Sequence, residues 1–127
     1  MGLVELYEKE RLRIAEAADG RGDYSHPVFG EGPVNPLVML IGEAPGGDEA
    51  KQGRPFVGKA GKQLDALLSG AGIDRSRVYI TNAVKFRPVN VKPKSVSNRT
   101  PTGAELKAGL PLLENELCLL SPHIIVT

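Results

Sequence analysis

The 127-residue sequence contains one cysteine, Cys118, which excludes an internal disulfide and any multi-cysteine metal site. Its two histidines, His26 and His123, have no partnered spacing, so a histidine-based metal centre is not expected either. No apolar run approaches the ~20 residues that cross a bilayer. The opening residues carry Glu5, Glu8 and Lys9 where a secretory signal would be uninterruptedly apolar. The expected setting is therefore reducing and cytoplasmic. Neither sign of charge is in surplus: 16 basic against 15 acidic side chains leave +1. Composition thus lacks the basic excess of many nucleic-acid binders, and any case for a polyanionic partner rests on where the charges sit. Repeats and low-complexity segments are also missing. What remains is one domain's length, residues 1–127, with apolar content sufficient for a single modest core.

The pattern of elements is legible. Residues 3–18 mix Leu3, Leu6, Tyr7, Leu12 and Ile14 with charge, an amphipathic helix closed by Asp19 and Gly20. Residues 21–36, rich in glycine and proline, read as an ordered turn segment. Residues 37–41 form a continuous apolar run, as in a strand buried on both faces of a parallel sheet. A Gly-rich polar loop, 42–58, leads to helical spacing at Leu64, Leu67, Leu68 and Ile73. A second strand covers 78–81. Residues 82–101 read as a long loop of Lys, Arg, Pro and Asn. A capping box at Thr102 and Glu105 starts a third helix, expected to bend at Pro111. From His123 to Thr127 a third strand begins. Strands alternating with helices predict a three-layer α/β/α fold on a parallel central sheet, with right-handed crossovers. The loops leaving the strands' carboxyl ends, 42–58 and 82–101, then build the binding crevice.

Several strings in those loops could carry chemistry. Residues 53–60 nearly spell a phosphate-binding loop, but Ala60 replaces the hydroxyl that would ligate magnesium. That loop also starts well after its strand, and Pro55 and Phe56 interrupt its backbone donors. Glu43, Asp48 and Glu49 follow the first strand; such carboxylates position a water or stabilise a developing cation, or simply form a solvated acidic loop. Asn82 leaves the second strand, where its planar amide can read a base edge or merely close a turn. Lys85, Arg87, Lys92, Lys94 and Arg99 occupy a stretch without an acidic residue, suited to phosphate contacts or to simple solubility. Phe56, in a loop flanked by Pro and Gly, either stacks on a ring or plugs the core. Cys118, among leucines, reads as a small core residue.

Taken together, the strings at residues 42–46 (GEAPG), 53–61 (GRPFVGKAG), 78–88 (VYITNAVKFRP), 98–102 (NRTPT) and 121–126 (SPHIIV) resemble the family 4 branch of uracil-DNA glycosylases, in order and spacing. The resemblance covers nearly the whole chain. It implies a compact α/β fold that accepts an extruded uracil from DNA and hydrolyses its glycosidic bond. It would make Glu43 and Glu49 the catalytic carboxylates, Phe56 the ring that stacks on uracil, and Asn82 the reader of its polar edge. The Ala44 amide would support the base, and Lys85, Arg87, Lys92, Lys94 and Arg99 would meet DNA.

The resemblance breaks in three places. The four cysteines that hold the branch's 4Fe–4S cluster align with Ala15, Ala18, Phe86 and Gly109, none of which ligates iron, so no cofactor is expected. Packing is expected to refill the volume, with Phe86 turned in beside the first helix. The family's later His-Pro loop has no counterpart before Thr127, which predicts weak or no turnover and leaves the third strand with an unpaired edge. Residues 89–97 form an insert that either extends a DNA surface or stays disordered. Two rival expectations remain open: a non-catalytic nucleic-acid or nucleotide-binding module on the same fold, and a mononucleotide binder using residues 53–59.

Overall fold

The computed structural model describes residues 2–127. Helix α1 (Leu3–Glu16) turns Leu3, Tyr7, Glu10 and Ile14 to one side, at the spacing that places successive side chains on one helical face. A short strand, β1 (Gly22–Asp23), follows. β2 (Val38–Gly42) leads through α2 (Gly47–Gln52) and α3 (Lys59–Gly70) to a 3-10 turn at Arg75–Arg77 and then β3 (Val78–Asn82). β4 (Arg87–Lys92), β5 (Ser95–Asn98), α4 (Gly103–Leu120) and β6 (Ile124–Val126) complete the order.

β2 pairs in parallel with β3 on one side and β6 on the other, giving the order β3-β2-β6. Alternation along the strands divides the core. Val38, Val78 and Ile80 face Leu64 and Leu68 of α3, with Leu40, Phe56 and Ile73 packed alongside. Met39 and Tyr79 face Leu120 of α4, flanked by Leu3 of α1 and by Leu113 and Leu117. One helix on one face and two on the other make the expected three layers. The outer edge of β3 is covered by the segment at Glu31, whose N–H donates to Ile80 O at 3.0 Å and whose carbonyl accepts from Ile80 N at 2.9 Å. No helix among the described residues is long and apolar enough to cross a membrane.

Two expectations fail here. Residues 82–101 are not one long loop: β4 and β5 form an antiparallel hairpin with Val91 opposite Val96, and β4 also pairs with β1. The alternation Val89, Asn90, Val91, Lys92 before a Pro93-Lys94 turn is a strand signal that the lysines and prolines obscured. Cys118 is exposed, not in the core. The buried stripe of α4 is Leu112, Glu116 and Leu120, four residues apart, and Cys118 lies midway, on the opposite side of the helix. α4 itself opens with the predicted box: Thr102 Oγ1 accepts from Glu105 N at 3.1 Å, and Glu105 Oε1 accepts from Thr102 N at 2.9 Å. It continues through Pro111 as one helix.

Candidate functional site

β2 and β3 end in register, with Gly42 opposite Asn82. The pairing carries past both ends, since Ala83 N donates to Gly42 O at 2.9 Å and Val84 N to Glu43 O at 3.0 Å. Gly42 is required by what meets it: a Cβ there would lie 2.3 Å from Asn82 Oδ1 and 2.7 Å from Phe56 Cζ. Glycine therefore lets the carboxamide of a strand residue and an aromatic ring from the following loop converge on one spot. Between them opens a cavity of about 70 Å³ lined by Ala44, Pro45, Glu49, Phe56, Ala60 and Asn82. Four of the five residues expected to act on a base or its bond thus share one cavity, and the fifth, Glu43, stands at its neighbour. Its size is far below the several hundred Å³ typical of drug-sized ligand pockets, so it suits a single small ring, not a nucleotide.

Glu49 organises the wall. Its Oε1 accepts from Gly46 N at 3.0 Å, and its Oε2 accepts from Val57 N at 3.1 Å and Gly58 N at 2.8 Å. Partial burial works against the charged carboxylate, but the three amides outweigh it and hold the group below its ordinary range. The same bonds dispose of the phosphate-loop reading. Two amides that would cradle a phosphate from residues 53–59 are already taken by an internal anion. Phe56 itself sits at φ +52°, the left-handed region that costs a side-chain-bearing residue on the order of 1 kcal/mol or more.

Glu43 is exposed, on the wall of an adjoining groove of about 390 Å³ formed with Ala44, Pro45, Gly46, Asn98, Arg99, Thr100 and Pro101. Ala44 and Pro45 are common to cavity and groove, so the two openings share a wall. Arg87 lies at the rim, its Nε donating to Asn98 Oδ1 at 2.6 Å and its guanidinium against Gly47. Lys92 and Lys94 are exposed at the tip of the β4–β5 hairpin.

Two of the five basic residues are not available to a partner. Lys85 is 1% exposed and inside the protein. Its Nζ donates to Glu116 Oε1 at 2.6 Å and Thr81 Oγ1 at 2.9 Å, and also to the Asn82 carbonyl. Burial pushes the Lys85 ammonium down and Glu116 opposes it. Lys85 is therefore no phosphate contact; it fastens the strand end that carries Asn82. Arg99 is likewise committed, forking onto both oxygens of Glu105 at 2.6 and 2.9 Å and donating to Arg21 O at 2.8 Å. Its side chain is 7% exposed. A loop position gave both residues the look of surface charge, but each has a carboxylate on α4 as its partner.

Those partners were missed from sequence. Glu116 occupies an apolar position in the stripe Leu112, Glu116, Leu120, a pattern that announces a buried partner. Its Oε2 also accepts from Tyr7 OH at 2.6 Å and Thr81 Oγ1 at 3.1 Å. Burial and then the Glu116 carboxylate push the Tyr7 hydroxyl far above its usual range, and burial pushes Tyr79 up to about 12. No comparable signal marked Arg75, which braces the loop of Phe56 from outside the cavity.

The positions aligned with cluster cysteines do not fit an iron–sulfur cluster. Phe86 is buried with Ile14 and Val84, its ring 4.9 Å from that of Tyr24. A Cβ on Gly109 would lie 2.5 Å from the Ala83 carbonyl oxygen, so backbone fills the place a side chain would need. Ala15 and Ala18 are exposed, so the refilling falls to Phe86 and not to the two alanines. No group of three His, Cys, Asp or Glu side chains able to hold a metal occurs among the described residues.

The profile of the uracil DNA glycosylase superfamily matches residues 29–127. A type-4 uracil-DNA glycosylase of Pyrobaculum aerophilum is 46% identical over 99 residues, 78% of this chain and 47% of that protein. One from Sulfurisphaera tokodaii is 43% identical over 104 residues, 81% of this chain and 44% of the relative. The protein of that name in Thermotoga maritima is 40% identical over 124 residues, 98% of this chain and 60% of its own length. The chain thus spans 44% to 60% of the length of these three relatives. With the profile matched from Phe29 onward and the strand-end loops meeting at one small cavity, the chain belongs to the uracil-DNA glycosylase superfamily.

Proposed function

We propose that this chain supplies the base-holding part of a DNA repair hydrolase that removes uracil by breaking its N-glycosidic bond. The observation that carries the proposal is the single cavity shared by Phe56 and Asn82 at the ends of two neighbouring strands. A base reaches such a cavity only after leaving the stack, because neither its polar edge nor the bond to its sugar is accessible within a duplex. Phe56 then stacks on the pyrimidine face, and Asn82 pairs its amide with the acceptor–donor edge of uracil. Cytosine presents the reverse pattern and would leave buried polar groups unpaired, the strongest basis for rejecting it.

In the reaction a water attacks the sugar carbon as the bond to the base nitrogen breaks, and the electron pair departs with the base as an anion. Donors such as the Ala44 amide stabilise that anion. Glu43, exposed on the shared wall, orients the water and takes up the proton it loses, which the departing uracil anion finally accepts. Glu49, kept ionised by its three amides, places negative charge beside the sugar cation as it forms. Arg87, Lys92 and Lys94 follow the phosphates of the strand on either side. The substrate is uracil-containing DNA, the chemistry needs no metal or other cofactor, and the reaction belongs in the cytoplasm.

For the 127 residues the reading is uracil binding with slow turnover at the cavity of Phe56 and Asn82. Oligonucleotides carrying one deoxyuridine or one deoxycytidine test this. Preferential binding of the uracil strand with slow appearance of an abasic product is expected. Equal binding of the two strands would remove the function, and fast cleavage would refute slow turnover alone. Asn82→Ala should abolish the preference; binding lost while no abasic product ever forms, even with the intact side chain, would identify a non-catalytic binding module.

A further inference from the structure

The stacking ring of Phe56 is carried on a backbone conformation that side-chain-bearing residues seldom hold, and its brace lies outside the cavity. Phe56 has φ +52°, and α3 presses so close that a Cβ on Gly61 would lie 1.9 Å from the Phe56 carbonyl oxygen. That oxygen accepts from Arg75 Nη1 at 3.0 Å, and the Pro55 carbonyl accepts from Arg75 Nη2 at 2.9 Å. Nη1 is also 2.8 Å from Asp65 Oδ1 on α3, and Glu31 lies 3.9 Å from Nη2. On the other side of the same loop, Glu49 takes the amides of Val57 and Gly58. Four consecutive residues, 55–58, are therefore gripped by a cation on their carbonyls and an anion on their amides.

We propose that Arg75, oriented by Asp65, is the positioning residue that locks Phe56 in place as the wall of the base cavity. Its part in uracil binding rests on the function proposed above; its grip on the loop does not. Arg75 lines no part of the cavity and acts only through Phe56. The role suits arginine, whose planar fork spans two successive carbonyls and a carboxylate at once, whereas a lysine ammonium offers one compact charge. The conformation it holds is of the kind that persists only where surrounding structure over-determines it.

The test compares the chain with Arg75→Ala, Arg75→Lys, Phe56→Leu and the Arg75→Ala/Phe56→Leu double variant. Dissociation constants are measured for single-stranded oligonucleotides bearing one deoxyuridine or one deoxycytidine, and amide exchange is followed at Val57 and Gly58. Arg75→Ala should weaken the uracil oligonucleotide about tenfold, as loss of charge-assisted hydrogen bonds implies, and leave the deoxycytidine oligonucleotide unaffected. Arg75→Lys should not rescue it. In the Phe56→Leu background the same change should add less than about twofold, because coupled residues do not act additively. Exchange at Val57 and Gly58 should quicken. Independent, multiplying losses from Arg75→Ala and Phe56→Leu would overturn the proposal, as would unchanged exchange. Failure of the unaltered chain to distinguish uracil from cytosine would defeat the proposed function instead, and the exchange result would then decide the lock. If Arg75→Ala unfolds the chain, Asp65→Asn, which removes only the orienting carboxylate, takes its place in the same comparison.

Discussion

The loops around the cavity and the β4–β5 hairpin both leave the carboxyl end of the parallel sheet, yet they treat their polar groups in opposite ways. Around the cavity, charge is spent inward: Glu49 on three amides, Arg75 on two carbonyls, Lys85 on Glu116 and the carbonyl of Asn82. On the hairpin, Lys92 and Lys94 are exposed, and Val91 and Val96 face each other at 65% and 53% exposure. The contrast suggests a division of labour. A site that discriminates one flat ring must be rigid before the ring arrives, whereas a surface that follows a phosphate backbone gains from charges left free.

The largest effect should come from the deepest of the inward charges. Both partners of the Lys85–Glu116 pair are 0% exposed. Glu116→Leu leaves Lys85 buried without its carboxylate and should cost about 3–5 kcal/mol, measured by urea unfolding. Lys85→Met together with Glu116→Leu should recover most of that loss, because exchanging a whole buried pair for apolar side chains is often close to neutral. If the single variant costs as little as a surface substitution, the cavity's floor is not fastened from within and the contrast loses its stronger half.

That pair also marks where sequence reading succeeds and where it stops. The three strands of the parallel sheet and the layer order were legible because they follow from apolar periodicity, whereas the convergence of Phe56 with Asn82 was expected only from the family resemblance of the strings that carry them. Lys85 was misplaced because its neighbours Arg87, Lys92 and Lys94 are loop or hairpin charges, and local composition cannot tell a lysine that turns inward. Only the register of α4 against β3, which puts Glu116 beneath Thr81, decides it. Arg75 was illegible for the same reason: its partners at Pro55, Phe56 and Asp65 lie ten to twenty residues away, joined by the packing of α3 and not by any spacing. The hairpin was hidden by the reverse error, since prolines and lysines disguised a valine alternation.

A middle-sized effect tests the loop tie. Glu49→Gln keeps the shape but forfeits the charge that three amides address, and should cost about 1–2 kcal/mol because the carboxylate is only partly buried. Acid should mimic the substitution. The folded group titrates below its ordinary value, so its contribution is complete above the normal carboxylate range and disappears as pH falls through the depressed folded value. Amide exchange at Val57 and Gly58, corrected for the intrinsic pH dependence, should therefore accelerate in acid in the parent chain. In Glu49→Gln that acid response should vanish. An acid response of equal size in both would place the titrating group elsewhere.

The smallest effect on stability, and the most informative about the outer region, belongs to the hairpin tip. Lys92→Ala with Lys94→Ala should change unfolding free energy by no more than about 0.5 kcal/mol, as for surface substitutions away from special features. The same double change should lower the slope of log affinity against log salt for single-stranded DNA by roughly 1.4, since each phosphate neutralised on a single strand accounts for about 0.7. Stability and binding thus separate at the hairpin, whereas at Glu49 and Arg75 they should move together. An unchanged salt slope would mean that these two lysines only keep the hairpin soluble. Arg87, whose Nε donates to Asn98 on the wall of the groove of Glu43, would then be the proposed phosphate contact that remains.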